Sequence, residues 1–116
     1  MAKRCFLSAK LHQATVTEAN VNYQGSLAIC PHLMAASGIL PHEQVDVYNL
    51  ENGERLTTYA IKGEPKEICL NGAAALKGRP GQKVIIATYT WLDEQEISGY
   101  EPKVVLVGAA NEPLAS

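Results

Sequence analysis

The side chains able to do chemistry in this sequence fall into a few short stretches: Lys10-Leu11-His12, Tyr23-Gln24-Gly25-Ser26, Arg55 with Thr57-Thr58-Tyr59, and Asn71-Gly72-Ala73-Ala74. Ser26 carries a hydroxyl next to a glycine carbonyl. Glycine has no Cβ, so it admits a strained backbone and leaves its carbonyl accessible. The Gly-Ser pair alone is equally a turn. Arg55 is a fixed cation whose forked guanidinium matches a carboxylate; by position alone it is a solvated residue after a hairpin. Lys10 is a second carboxylate partner or an ordinary surface charge. An unperturbed tyrosine titrates near pH ~10, so Tyr59 keeps its proton at neutral pH and yields it only to a strongly basic centre. Otherwise it is a cross-strand aromatic. Gly72, Ala73 and Ala74 are small enough for an anion to approach backbone N–H groups at a helix opening, and the same residues suit a tightly packed helix start. His12 either shapes a site or packs as a structural histidine.

The elements that must hold these residues are mostly strands. Residues 4–8 and 11–18 alternate weakly and read as extended chain. Pro31 at the start and Gly38 at the end frame a short helix through Leu33, Met34, Ala35 and Ala36. Val45–Leu50 and Arg55–Ile61 flank Asn52-Gly53, which tolerates positive φ at both turn positions, so a hairpin is expected there. Asn71-Gly72 opens a short helix. Residues 84–91 and 104–107 are late strands rich in β-branched residues. Residues from Pro113 onward read as a frayed tail. Short strands with little helix imply a closed barrel or a sandwich, and pattern alone does not choose between them.

Composition narrows the function classes. The chain has 116 residues, 47% hydrophobic and 19% charged, with a formal net charge of −2, which suits one globular domain rather than a disordered segment. No Lys/Arg block forms a nucleic-acid or anionic-membrane patch. Cys5, Cys30 and Cys69 are far apart and lack C-x-x-C spacing, so neither a disulfide framework nor a zinc site is expected. The histidines His12, His32 and His42 offer no metal motif. Free thiols fit a reducing cytoplasm, and the absence of a long apolar run argues against membrane insertion.

Taken together, the stretches resemble the aspartate 1-decarboxylase family. The N-terminal block Lys10-Leu11-His12-x-Ala14-Thr15-Val16-Thr17-x-Ala19-Asn20-x-Asn22-Tyr23-x-Gly25-Ser26 carries most of the likeness. It is joined by Asn52-Gly53-Glu54-Arg55, Thr57-Thr58-Tyr59-Ala60-Ile61 and Asn71-Gly72-Ala73-Ala74-Ala75, and spans about Phe6 to Asn111. The resemblance implies a mainly β fold, a six-stranded double-psi β-barrel with short helices, assembled as a homotetramer with sites between neighbouring subunits. It implies a single domain, 1–116, that cuts itself into 1–25 and 26–116. Ser26 attacks the Gly25 carbonyl, the amide becomes an ester, and β-elimination followed by loss of ammonia leaves a pyruvoyl cofactor derived from Ser26. No metal is implied. L-Aspartate then condenses with the pyruvoyl ketone as a Schiff base and loses its α-carboxylate, the electrons passing into the carbonyl sink. Thr58 is implied as the donor that supports the Gly25 oxyanion, Tyr59 as the proton donor, and Arg55 and Lys10 as carboxylate partners. Thr58 also belongs to the implied substrate contacts, with the backbone N–H groups of Gly72, Ala73 and Ala74. His12, Tyr23 and Asn71 are implied in support.

Three positions depart from the family pattern: Gln13 replaces an arginine, the segment Gly63-Glu64-Pro65-Lys66-Glu67 is short and acidic, and Leu76 replaces a histidine. The rival readings are a barrel binding module without activity, a pyruvoyl decarboxylase for another amino acid, and a DNA-binding barrel. The charge balance gives the last no electrostatic footprint.

Overall fold

The computed structural model describes residues 2–114. It is mainly β, as expected, with strands β1 (Arg4–Thr15), β2 (Glu18–Asn20), β3 (Ser26–Ile29), β4 (Gln44–Asn49), β5 (Arg55–Lys62), β6 (Ile68–Asn71), β7 (Lys83–Leu92) and β8 (Lys103–Leu106). Helices α1 (Pro31–Ser37) and α2 (Glu94–Ile97) and a 3₁₀ helix (Gly72–Lys77) complete it. The strands form one eight-stranded sheet in the order β2-β6-β3-β5-β4-β7-β1-β8. The count exceeds the expected six, and the two end strands, β2 and β8, are short.

Leu11, Leu27, Ile29, Leu33, Val47, Ile68, Leu70 and Ile86 belong to one buried cluster, so strands from both halves of the sheet face a common core. A sheet that buries one side this way must curl around it. Strand β5 joins the halves: it pairs antiparallel with β4 and parallel with β3. Its burial alternates, with Arg55, Thr57 and Tyr59 exposed and Leu56, Thr58 and Ala60 more buried. That is the period of a strand with one wet face.

The α1 reading holds, and Gly38 closes the helix with φ +79° and an N–H bonded to the Met34 carbonyl. The β4–β5 hairpin also forms, but residues 50–54 make a longer turn in which only Gly53 (φ +73°) is left-handed. The Asn52 side chain instead accepts from the Glu54 N–H and donates to the Lys77 carbonyl. The tail is tied rather than frayed as far as Leu114: Val107 bridges Pro113, and the Leu114 N–H donates to the Leu106 carbonyl. Nearby, the buried Asn111 amide donates to the carbonyls of Thr15 and Lys66.

Candidate active site

β3 and β6 are the two strands buried at every residue, and their antiparallel register sets Ser26 opposite Asn71. Ser26 is 1% exposed. Its Oγ donates to the Gln24 carbonyl at 3.3 Å and accepts from Asn71 Nδ2 at 3.1 Å. The hydroxyl at the Gly25–Ser26 junction is therefore buried, satisfied and fixed in direction.

Immediately after Asn71 the chain turns into the 3₁₀ helix through Gly72, whose φ is +65°. A Cβ on Gly72 would stand 2.7 Å from the Gly25 Cα and 2.8 Å from its nitrogen. Gly72 is thus a glycine for two reasons: its own backbone and the close approach of Gly25. The far side of Gly25 is open, since nothing lies within 4 Å of where its Cβ would be. Gly25 also lines a cavity of about 210 Å³ with Leu56, Thr57, Thr58, Asn71, Ala73, Ala74 and Lys77. At its edge Lys77 pairs with Glu54 at 3.1 Å, both side chains partly exposed. Sequence reasoning passed over Lys77; a cation closing the 3₁₀ helix after the alanines was the available signal.

Seven of the expected site residues are therefore together: Gly25, Ser26, Thr58, Asn71, Gly72, Ala73 and Ala74. Tyr23 adjoins them through its backbone, and Lys10, His12, Arg55 and Tyr59 are placed elsewhere. Lys10 lines a separate cavity of about 200 Å³ with Leu7, Tyr48, Ile85, Ala87 and Tyr89. Arg55 lies beside that group, its guanidinium 4.5 Å from the centre of the Tyr48 ring. Tyr48 sits opposite Arg55 in the β4–β5 register and shares a 2.7 Å hydroxyl contact with Tyr89. Burial, then the bond to Tyr89, pushes the Tyr48 phenol well above the usual tyrosine range. Neither Tyr48 nor Tyr89 stood out in the sequence, although both lie within segments expected as strands. Tyr59 is exposed and its ring stacks against His42 at 6.4 Å. Tyr23 is exposed and its carbonyl lies 3.1 Å from the Cβ position of Gly72. The His12 carbonyl accepts from the Val107 N–H.

A third cavity, of about 320 Å³, also touches Asn71 and includes Glu18, Tyr23, Lys62, Glu67 and Cys69 in its lining. Burial, reinforced by the negative charges of Glu18 and Glu67, pushes the Cys69 thiol up to about 11. Its Sγ donates to Asn71 Oδ1 at 3.1 Å.

Comparison with known proteins shows the family. A family model described as aspartate decarboxylase matches residues 1–114. Proteins named aspartate 1-decarboxylase are similar along almost the whole chain. The one from Syntrophobacter fumaroxidans is 52% identical over 97% of this chain and 93% of its own. That from Bdellovibrio bacteriovorus is 53% identical over 91% and 86%, and that from Thermoanaerobacter pseudethanolicus 46% identical over 97% of both. The chain is accordingly an enzyme of the carboxy-lyase class, and it belongs to the aspartate decarboxylase family.

Proposed function

We propose that this chain cleaves itself between Gly25 and Ser26 and, as fragments 1–25 and 26–116 of a homotetrameric barrel enzyme, decarboxylates L-aspartate to β-alanine and CO₂. The product serves pantothenate, and hence coenzyme A, biosynthesis. The observation that carries the reading is the Ser26 hydroxyl, buried and held by Asn71 beside an open Gly25 backbone, in a chain of this family. In cleavage, Ser26 Oγ adds to the Gly25 carbonyl carbon and its proton passes to the departing amide nitrogen, giving an ester. Thr58, which shares the Gly25 cavity, supports the oxygen that carries negative charge during the addition. Loss of the Ser26 Cα proton then breaks the Cβ–Oγ bond, and Gly25 leaves as a carboxylate. Water converts the remaining unsaturated amine to a carbonyl, with release of ammonia.

The pocket fits the resulting group: residue 26 is buried, adjoins a small cavity, and has the Asn71 amide donor already aimed at it. A pyruvoyl group there supplies an electron sink for the bond to the departing carboxylate. The chain supplies the rest. The backbone N–H groups of Gly72, Ala73 and Ala74 and the Thr58 hydroxyl contact the substrate, and His12 and Tyr23 support the site. Arg55 grips the carboxylate that stays, because a strong ion pair to the one that leaves would stabilise the ground state and oppose reaction. Lys10 is the weaker carboxylate partner. Tyr59 delivers a proton to the carbon that has lost CO₂.

Arg55 and Tyr59 are on the opposite face of β5 from Thr58, by the alternation of that strand. Lys10 and Arg55 also adjoin a cavity separate from the Gly25 one, which favours a site that draws Ser26 and Thr58 from one copy and Arg55, Lys10 and Tyr59 from a neighbour. The cytoplasm is the compartment we infer, supported by free Cys5, Cys30 and Cys69. No helix among the described residues is long and apolar enough to cross a membrane.

The test is to supply L-aspartate and other amino acids separately to the purified protein and identify the amine formed. β-Alanine from L-aspartate is the expected outcome. Preferred turnover of another amino acid moves the chain to that substrate, and no turnover by any of them leaves the barrel binding module.

A further inference from the structure

We propose that Cys69 is a positioning residue for self-cleavage, its S–H fixing the Asn71 amide so that Nδ2, not Oδ1, faces Ser26 Oγ. The inference rests on the cleavage reading above. Cys69 and Asn71 are two apart on β6, so their side chains share a face of that strand. Both are 4% exposed, and Ser26 beyond them is 1% exposed, and both polar ends of the amide meet protein partners. An asparagine amide is nearly symmetric in shape, and only its partners decide which end points where. Here the two ends are tied. Cys69 Sγ donates to Oδ1 at 3.1 Å, and Nδ2 donates to Ser26 Oγ at 3.1 Å. Ser26 completes the relay by sending its own proton to the Gln24 carbonyl.

The opposite orientation would turn the NH₂ group toward sulfur, a weak acceptor, and remove the donor from Ser26. That donor matters at one step. When the Cβ–Oγ bond breaks, the electron pair goes to Oγ, and an N–H already on Oγ stabilises the developing carboxylate of Gly25. A thiolate has no proton to give Asn71. Burial and the charges of Glu18 and Glu67, which hold the Cys69 thiol up to about 11, keep the relay intact at neutral pH.

The experiment follows fragment 26–116 by intact mass in freshly made wild-type, Cys69→Ser, Cys69→Ala and Cys69→Val protein, with the thermal midpoint of each. Serine keeps a donor, alanine removes it, and valine removes it while keeping bulk. Expected results are cleavage slowed roughly tenfold in the alanine and valine variants, the loss of one aligned hydrogen bond, with serine restoring most of the rate. Equal rates in wild-type and either donor-free variant overturn the inference alone. So does a serine variant as slow as the valine one, because bulk or sulfur rather than the donor would then be at work. If alanine does not fold, the serine–valine pair decides. A wild-type chain that never splits overturns the cleavage reading and this inference with it.

Discussion

Asn71 donates to the Ser26 hydroxyl from the strand position directly opposite it, at 3.1 Å, although 45 residues of chain separate them. The residue that precedes the 3₁₀ helix thus also sets the direction of the hydroxyl that attacks Gly25 in the proposed cleavage. This couples β6, the 3₁₀ helix and the scissile junction into one unit, and several consequences can be measured.

The tightest coupling is at Gly72. Its φ of +65° disfavours any side chain, and a Cβ would collide with Gly25 backbone atoms 2.7–2.8 Å away. Gly72→Ala is expected to destabilise the fold by roughly 1–3 kcal/mol through strain and to displace Gly25. Thermal denaturation and the cleavage rate should both change. A variant with wild-type values for both would show that the junction does not depend on this contact.

Thr58→Val keeps the β-branched shape on β5 and removes the hydroxyl from the Gly25 cavity. The expected outcome is self-cleavage slowed by roughly 10²–10³, the usual cost of one oxyanion donor. The appearance of fragment 26–116 over time is the readout. Cleavage at the wild-type rate would assign the oxyanion to another donor.

Tyr59 and Thr58 are neighbours on β5 with opposite directions, so making the cofactor and using it should come apart. Tyr59→Phe keeps the ring that stacks on His42 and deletes the phenol O–H. It should cleave normally and form β-alanine slower by roughly 10²–10⁴, the range for a positioned acid. Pyruvoyl content by mass and β-alanine formation are measured on the same preparation. Near-normal turnover would remove Tyr59 from the proton transfer.

Because Ser26 and Arg55 sit in separate clusters of one chain, two inactive chains should rescue each other. Co-expressed Ser26→Ala and Arg55→Ala proteins can form sites with Ser26 from one copy and Arg55 from the other. Activity well above either variant alone is expected, measured as β-alanine in the purified mixture. No gain in assemblies that demonstrably contain both chains would mean that each site is built from one copy.

The parts of the fold that were legible in advance are those with local punctuation. Pro31 and Gly38 framed α1, and Asn52-Gly53 marked the β4–β5 hairpin, although only the glycine there adopts positive φ. β3 and β6 were not legible, because all their residues are buried and a strand buried on both faces loses its alternation. Those two strands hold Ser26 and Asn71. The candidate residues were legible only through likeness to a family; that Lys10 and Arg55 adjoin a different cavity from Gly25 and Thr58 was not, since it depends on strand pairing that the pattern leaves open. Gln13, which stands where the family has arginine, has φ +68° and lies in a register break of the β1–β7 pair. Nothing in its type announced that bulge.

If this chain makes its own cofactor at one bond, its intact mass must show it. Wild-type protein and Ser26→Ala are purified in parallel, warmed, and weighed by mass spectrometry. Wild-type is expected to separate into residues 1–25 and 26–116, the larger fragment beginning with a pyruvoyl group in place of serine, while Ser26→Ala keeps its full-length mass. A wild-type chain that stays whole with Ser26 unmodified, or a Ser26→Ala chain cut at the same bond, would contradict it.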